Sequence, residues 1–500
     1  MAYQPVMECF KPLRNSLRKY NLTSMLQAIW YLSNHIEFGN RLPPYLDAAN
    51  PYPQKDWTRL GFFQWELDTL AREAILHCDA VRGDQVTAWK EVAALLNKLK
   101  WTEEQAHEAT TENIFAEMSR IAHRQFHWQN GVGHTSFTRL RRMYRYPGMD
   151  GVVQDVYGLT TEQVALGGFA ALATYMQHFA ITPDWPENAS NLLQFNCRSL
   201  IENLTTDLVP LRQATLNARS LDENWSYTFS PLWLHPLIRI EDGSRIICPI
   251  PGLLARRITD GLYFDIAGHD VDALSAYLGP AFQTYMGDVF GRANKGKFRV
   301  YPEERYGKKG APKDTVDWII EDDTASLFVE VKLLKMGNAA KVYLAPQDAV
   351  TNQFKKLAKA IGQVYATLRD ATEGQYPSWK PNGKPVHPVI VTMDNWNLFT
   401  HTVQGLLDDL VGKELDRRGI ERTILQTNRY VVCCANDFEM AIQVMHEVGI
   451  NAVMKDMTTG DKVGWLFGGH LRSAFPNSLE KVVPLFPEER STFLANIKQR

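Results

Sequence analysis

Residues 315–334, TVDWIIEDDTASLFVEVKLL, constrain the fold more tightly than any other stretch of this chain. Val316, Trp318, Ile319 and Ile320 are β-branched or aromatic, and residues 327–334 are again strand-like. The polar run Asp322, Asp323, Thr324, Ala325, Ser326 lies between them. This pattern predicts a β-hairpin. A turn centred between Asp323 and Thr324 puts Asp317 directly opposite Glu330, on one face of the hairpin. Glu330 and Lys332 are two residues apart and share that face as well. A slip of one residue in register would separate Asp317 from the other two.

Charges inside an otherwise apolar strand are costly unless they are paired or bind a metal. Two carboxylates form a hard-oxygen site of the kind that Mg²⁺ occupies while it keeps waters and substrate phosphate. A neighbouring ammonium orients water or offsets charge in the transition state. Metal-dependent phosphodiester cleavage needs these three groups. A salt-bridged hairpin of no catalytic consequence needs only the same residues, so the surrounding elements must decide between the two.

At 500 residues the chain exceeds one ordinary core, so two or more domains are expected. Its 45% hydrophobic and 22% charged residues are those of a globular protein, and its net charge of −2 excludes a general polycation. Any nucleic-acid surface must therefore be local. The segment 292–359 contains fourteen Lys and Arg against nine Asp and Glu, a local excess of five positive charges around the acidic hairpin. A phosphodiester substrate requires that combination. Within it, the glycine-bearing run RYGKKGAPKDT is expected to be a mobile loop. Its Arg305, Lys308, Lys309 and Lys313 are candidate backbone-gripping residues.

The six cysteines show no CxxC or zinc-like spacing, and the N-terminal stretch has no signal-peptide apolar region. These features predict a reduced, cytoplasmic chain without a membrane partner. Residues 1–225 read as a mainly helical region for sensing, targeting or oligomerisation, through a protein trigger or further copies of the chain. Arg139, Arg141, Arg142 and Arg145 there read as a solvated helix face or a domain contact in preference to a phosphate grip. Residues 226–271 read as a β-rich connecting segment. Residues 272–400 then give helix, three strands, helix, strand, and residues 401–500 an α/β extension.

That order, with Asp317 on the second strand and Glu330, Val331, Lys332 on the third, resembles the PD-(D/E)XK nuclease superfamily. The resemblance covers about a quarter of the chain. It implies an αβββαβ core, with a mixed central sheet flanked by helices, and Mg²⁺-dependent phosphodiester hydrolysis, with Mn²⁺ able to substitute. It implies that Asp317, Glu330 and the Val331 carbonyl ligate the metal, and that Lys332 serves the attacking water. Gln363 and Tyr365 on the following helix look similar to residues that support such sites. The chain departs from the pattern on the first core helix, where Gln283 stands at the position of an additional Glu; Glu303 and Glu304 are the acids nearest in sequence to compensate.

A nuclease core fused to a large helical region resembles prokaryotic anti-phage defence nucleases. DNA is the expected substrate. RNA, such as tRNA, is the first alternative, because the site reads a phosphate. A nucleic-acid-binding scaffold with a degenerate core is the second, and Gln283 is its best support.

Overall fold

The computed structural model describes residues 3–49, 61–108, 114–130, 134–335 and 348–489. The described chain is mixed α/β and divides into two compact units. One holds residues up to 108 and 124–273; the other holds 114–123 and 274–489. No helix among the described residues is long and apolar enough to cross a membrane.

The first unit is mainly helical, as its 3.6-residue apolar spacing requires. Asn21 caps the helix Leu22–Phe38 through the Ser24 N–H, and Thr160 caps Thr161–Gln177 through Gln163 in a reciprocal capping box. The β-rich stretch expected as a connector belongs to this unit. Strands β1 (Ala180–Ile181), β2 (Thr205–Asp207), β3 (Leu237–Ile240) and β4 (Arg245–Ile247) form one sheet in the order β1-β4-β3-β2. The run before β3 is not strand but two 3₁₀ turns, Trp225–Tyr227 and Pro231–Trp233; Pro231 cannot donate to a ladder. The arginine cluster is partly internal. Arg139 and Arg141 are buried, and Arg141 donates to Glu162 at 3.0 and 2.8 Å. Arg141 is therefore a structural pairing in place of a solvated face.

The second unit is built on a five-stranded sheet. Helix α1 (Gly279–Ala293) precedes β5 (Arg299–Pro302), the hairpin β6 (Arg305–Lys308) and β7 (Ala311–Asp314), then β8 (Trp318–Glu321) and β9 (Ser326–Lys332). Helix α2 (Asp348–Thr372), β10 (Val386–Thr392), helix α3 (His401–Arg417), β11 (Val431–Cys434), helix α4 (Ala435–Val448) and helix α5 (Ile450–Thr458) follow. The sheet order is β11-β10-β9-β8-β5. β5, β8 and β9 are antiparallel neighbours, whereas β9, β10 and β11 run parallel. The central strands are apolar on both faces, as helices on both sides demand. Phe328 and Ile390 pack with α2 and α3 on one face. Phe290 of α1 meets Trp318 of β8 and Phe438 of α4 on the other.

α1 lies close to β8 because Gly287 has no side chain. A Cβ there would overlap the Trp318 ring, whose Nε1–H donates to the Gln283 carbonyl at 3.2 Å. Gly287→Ala should force α1 off the sheet and cost about 1–3 kcal/mol in chemical denaturation. An unchanged midpoint would show that the ring relaxes freely.

The β8–β9 turn is built by Asp322. Its Oδ1 accepts the Thr324 N–H (2.7 Å) and Ala325 N–H (3.0 Å), and its Oδ2 accepts the Ile450 N–H at the start of α5 (2.8 Å). These bonds fix the register: Trp318 pairs with Val329 and Glu321 with Ser326.

Candidate active site

Carried two residues past its last ladder pair on β9, the same register sets Asp317 level with Glu330. On β9 the side chains of Phe328, Glu330 and Lys332 share one face by strand alternation. Asp317 and Glu330 are both buried, at 9% and 2% exposure. Lys332 Nζ lies 2.5 Å from Glu330 Oε1, and Asp317 Oδ2 accepts the Val331 N–H at 2.7 Å. In a strand the N–H and C=O of one residue point the same way, so the Val331 carbonyl also turns toward Asp317, beyond the last ladder pair of β8. Asp317, Glu330 and Lys332 thus come together as the sequence predicts, with the Val331 carbonyl beside them.

The electrostatics separate the two ends of the hairpin. At the turn end, burial opposes the charge of Asp322, but its donors hold its carboxyl below the usual range. Glu321 is surrounded by Trp379 Nε1 (3.0 Å), Asn382 Nδ2 (2.7 Å) and Arg299 Nη2 (2.6 Å). At the open end, burial and then the charge of Glu330 push Asp317 up to about 7. Burial likewise raises Glu330, against the pull of Lys332. Burial also opposes the charge of Lys332, but Glu330 and Asp317 outweigh it and hold the ammonium above the usual lysine value. Lys332 is therefore charged at neutral pH and acts as a donor and a positive charge. Two under-compensated carboxylates side by side suit a cation better than they suit fold stability.

Glu303 follows Pro302, which pairs with Trp318, so it lies level with Asp317 on the next strand. It is exposed, and its carboxylate accepts the Gln283 amide at 3.2 Å. Its charge reaches Asp317, Glu330 and Lys332. Glu304 turns away and takes the Ser378 N–H at 3.2 Å. Among the described residues, no group of three or more His, Cys, Asp and Glu side chains is gathered closely enough to hold a metal. The donor set at the hairpin is thus two carboxylates and one carbonyl, a fit for a hard cation that keeps several waters.

The structure does not bring Gln363 or Tyr365 to these groups. Gln363 is exposed. The Tyr365 hydroxyl donates to the Asn428 carbonyl at 2.7 Å, and the Asn428 amide in turn donates to the Val386 carbonyl. Val386 pairs with Ser326, four residues and about 13 Å along β9 from Glu330. The reason is the path of α2, which leaves its second half away from the carboxylates. Tyr365→Phe should cost about 1 kcal/mol of stability and leave any cleavage rate unchanged; a large loss of rate would return Tyr365 to the site.

The basic run expected as a mobile loop is the folded hairpin β6–β7, turned at Lys309 and Gly310, where Gly310 adopts φ +99°. It is anchored through buried Tyr306, whose hydroxyl donates to Asp370 at 2.9 Å. Lys313 also pairs with Asp370, at 2.6 Å, and Arg305 with Asp314, at 3.2 Å. Lys308 and Lys309 stand exposed near the tip. Buried Tyr376, which packs against Tyr306 and against Phe328 two residues before Glu330, escaped the sequence reading. It lies in an irregular segment with no periodicity to mark it. No family model, curated protein or solved structure matches this chain.

Proposed function

We propose that this protein is a metal-dependent nuclease of the PD-(D/E)XK type, acting on DNA in preference to RNA. The observation that supports it best is the open end of the hairpin, where buried Asp317 and Glu330 sit against the Lys332 ammonium. Asp317, Glu330 and the Val331 carbonyl would hold the ion. Bound there, Mg²⁺ or Mn²⁺ polarises the phosphate and lowers the pKa of its water. Lys332 contributes a fixed positive charge and N–H donors toward the attacked phosphate. Glu303, held by Gln283, adds negative charge at the outer edge of the site. Exposed Lys308 and Lys309 remain as backbone contacts, whereas Arg305 and Lys313 serve mainly the hairpin. A role in anti-phage defence rests on the combination of such a core with a separate helical unit.

The test is direct. Purified protein with Mg²⁺ or Mn²⁺ is incubated with supercoiled DNA, linear DNA and total RNA, beside Glu330→Ala and an EDTA control. Cleavage by the wild type alone, abolished by EDTA, is expected. The substrate that is consumed fixes DNA against RNA. Absence of cleavage on all three would favour the scaffold reading. In host cells, phage protection by wild type but not by Glu330→Ala would support defence through cleavage.

A further inference from the structure

A second feature of the same unit lies just beyond the C-terminal ends of β10 and β11. There Asn395, Asn397, Val432, Cys433, Asp437 and Trp465 line a cleft of about 310 Å³ continuous with solvent. Ligands of open α/β sheets bind in crevices at this end of parallel strands. Thr392 pairs with Lys332, so the cleft opens three residues, about 10 Å, past the level of the catalytic lysine.

Three observations bear on what the cleft holds. Trp465 is 49% exposed, which leaves a large aromatic surface at the rim. Lys462 places its ammonium 5.6 Å from the centroid of that ring. Asn397 is 4% exposed; one end of its amide meets the His123 ring at 3.1 Å, and the other end has no partner. Exchanging the amide nitrogen and oxygen leaves one end unpaired either way. Asn397 also adopts the left-handed conformation, φ +48°, held by its own N–H to Asn395 Oδ1 at 2.9 Å. A buried polar group left unpaired at a strained position marks a functional site more often than a structural one.

We infer that this cleft binds a nucleobase. Its face stacks on Trp465, its polar edge meets the Asn397 amide, and Lys462 lies beside the attached phosphate. Aromatic stacking with an adjacent cation is how proteins hold unpaired bases, and an amide beside a base edge supplies the hydrogen bonds that distinguish one base from another. On the nuclease reading, the base belongs to the substrate strand, one or two nucleotides from the bond cleaved. The alternative source of the same chemistry is a free nucleotide.

The test measures binding and not cleavage. Full-length protein in EDTA is titrated with fluorescein-labelled single-stranded homopolymers of each base, and separately with the four nucleoside monophosphates. Trp465→Ala is expected to weaken binding about tenfold or more, with Trp465→Tyr restoring most of it. Asn397→Gly tolerates the left-handed backbone and removes the amide; it is expected to level the affinities among the four bases. The arm that responds, polymer or monomer, identifies the source of the base. Unchanged affinity in Trp465→Ala, or a base preference that survives Asn397→Gly, would overturn the inference. Cleft-dependent binding without cleavage of any substrate would remove the nuclease reading alone. Normal cleavage with binding indifferent to Trp465 would remove the cleft alone.

Discussion

Glu330→Ala should lower the rate of phosphodiester cleavage by about 10³-fold or more, the several kcal/mol that a correctly held metal supplies. Asp317→Ala and Lys332→Ala should fall in the same range, because the three groups act as one unit and their losses do not add. The chain should stay folded. Removing Glu330 relieves Asp317 of a like charge at close range, and Lys332, partly open to water, regains solvation. Circular dichroism and a melting curve beside the rate measurement separate the two effects. Full activity in all three variants would end the assignment of this site. Gln283→Ala should do less, since Gln283 acts only through Glu303; a loss as large as that of Glu330→Ala would make Gln283 a residue of the site itself.

The largest stability effect is expected at Asp322, 3% exposed, whose carboxylate serves the β8–β9 turn and the first residue of α5. Asp322→Ala leaves the N–H groups of Thr324, Ala325 and Ile450 without their acceptor, and should cost about 3–5 kcal/mol in urea unfolding. Asp322→Asn keeps one oxygen and should cost roughly half of that. The same series tests the pH dependence. The folded carboxyl lies below its ordinary value, so its contribution is fully present at neutral pH and is lost as pH falls through the folded value. Wild type and Asp322→Ala should therefore converge in stability on acidification below about pH 4. A constant difference down to pH 2 would show that the side chain acts through packing. Because this turn sets the register that brings Asp317 level with Glu330, Asp322→Ala should also reduce cleavage without touching the carboxylates.

Much of this unit was readable from residue order. The hairpin register followed from the position of the polar turn, because strand pairing is a matter of counting residues outward from a turn. Strands β5, β8, β9 and β10 and helix α2 lie where alternation and 3.6-residue spacing put them. The misplaced residues share one cause. Gln363 and Tyr365 were assigned by their place in the order of elements, but which end of a 25-residue helix meets a strand depends on the crossing path, and no local pattern encodes that. The basic run 305–314 was read as a loop from Gly307, Gly310 and Pro312. Its fold depends on Tyr306 reaching Asp370, a partner 64 residues away.

The amino-acid sequence by itself determined which charged side chains share a face of the hairpin, because period-two alternation and turn position are properties of neighbouring residues. Only the tertiary structure decided which of those charges are satisfied. Asp322 finds the Ile450 N–H 128 residues away and is held low, and Glu321 finds Trp379 and Asn382. Asp317 and Glu330 meet burial with too few donors and are pushed up. Ionisation depends on what distant segments bring to within hydrogen-bonding distance, so the difference between a structural acid and a candidate catalytic one appears only once the chain has folded.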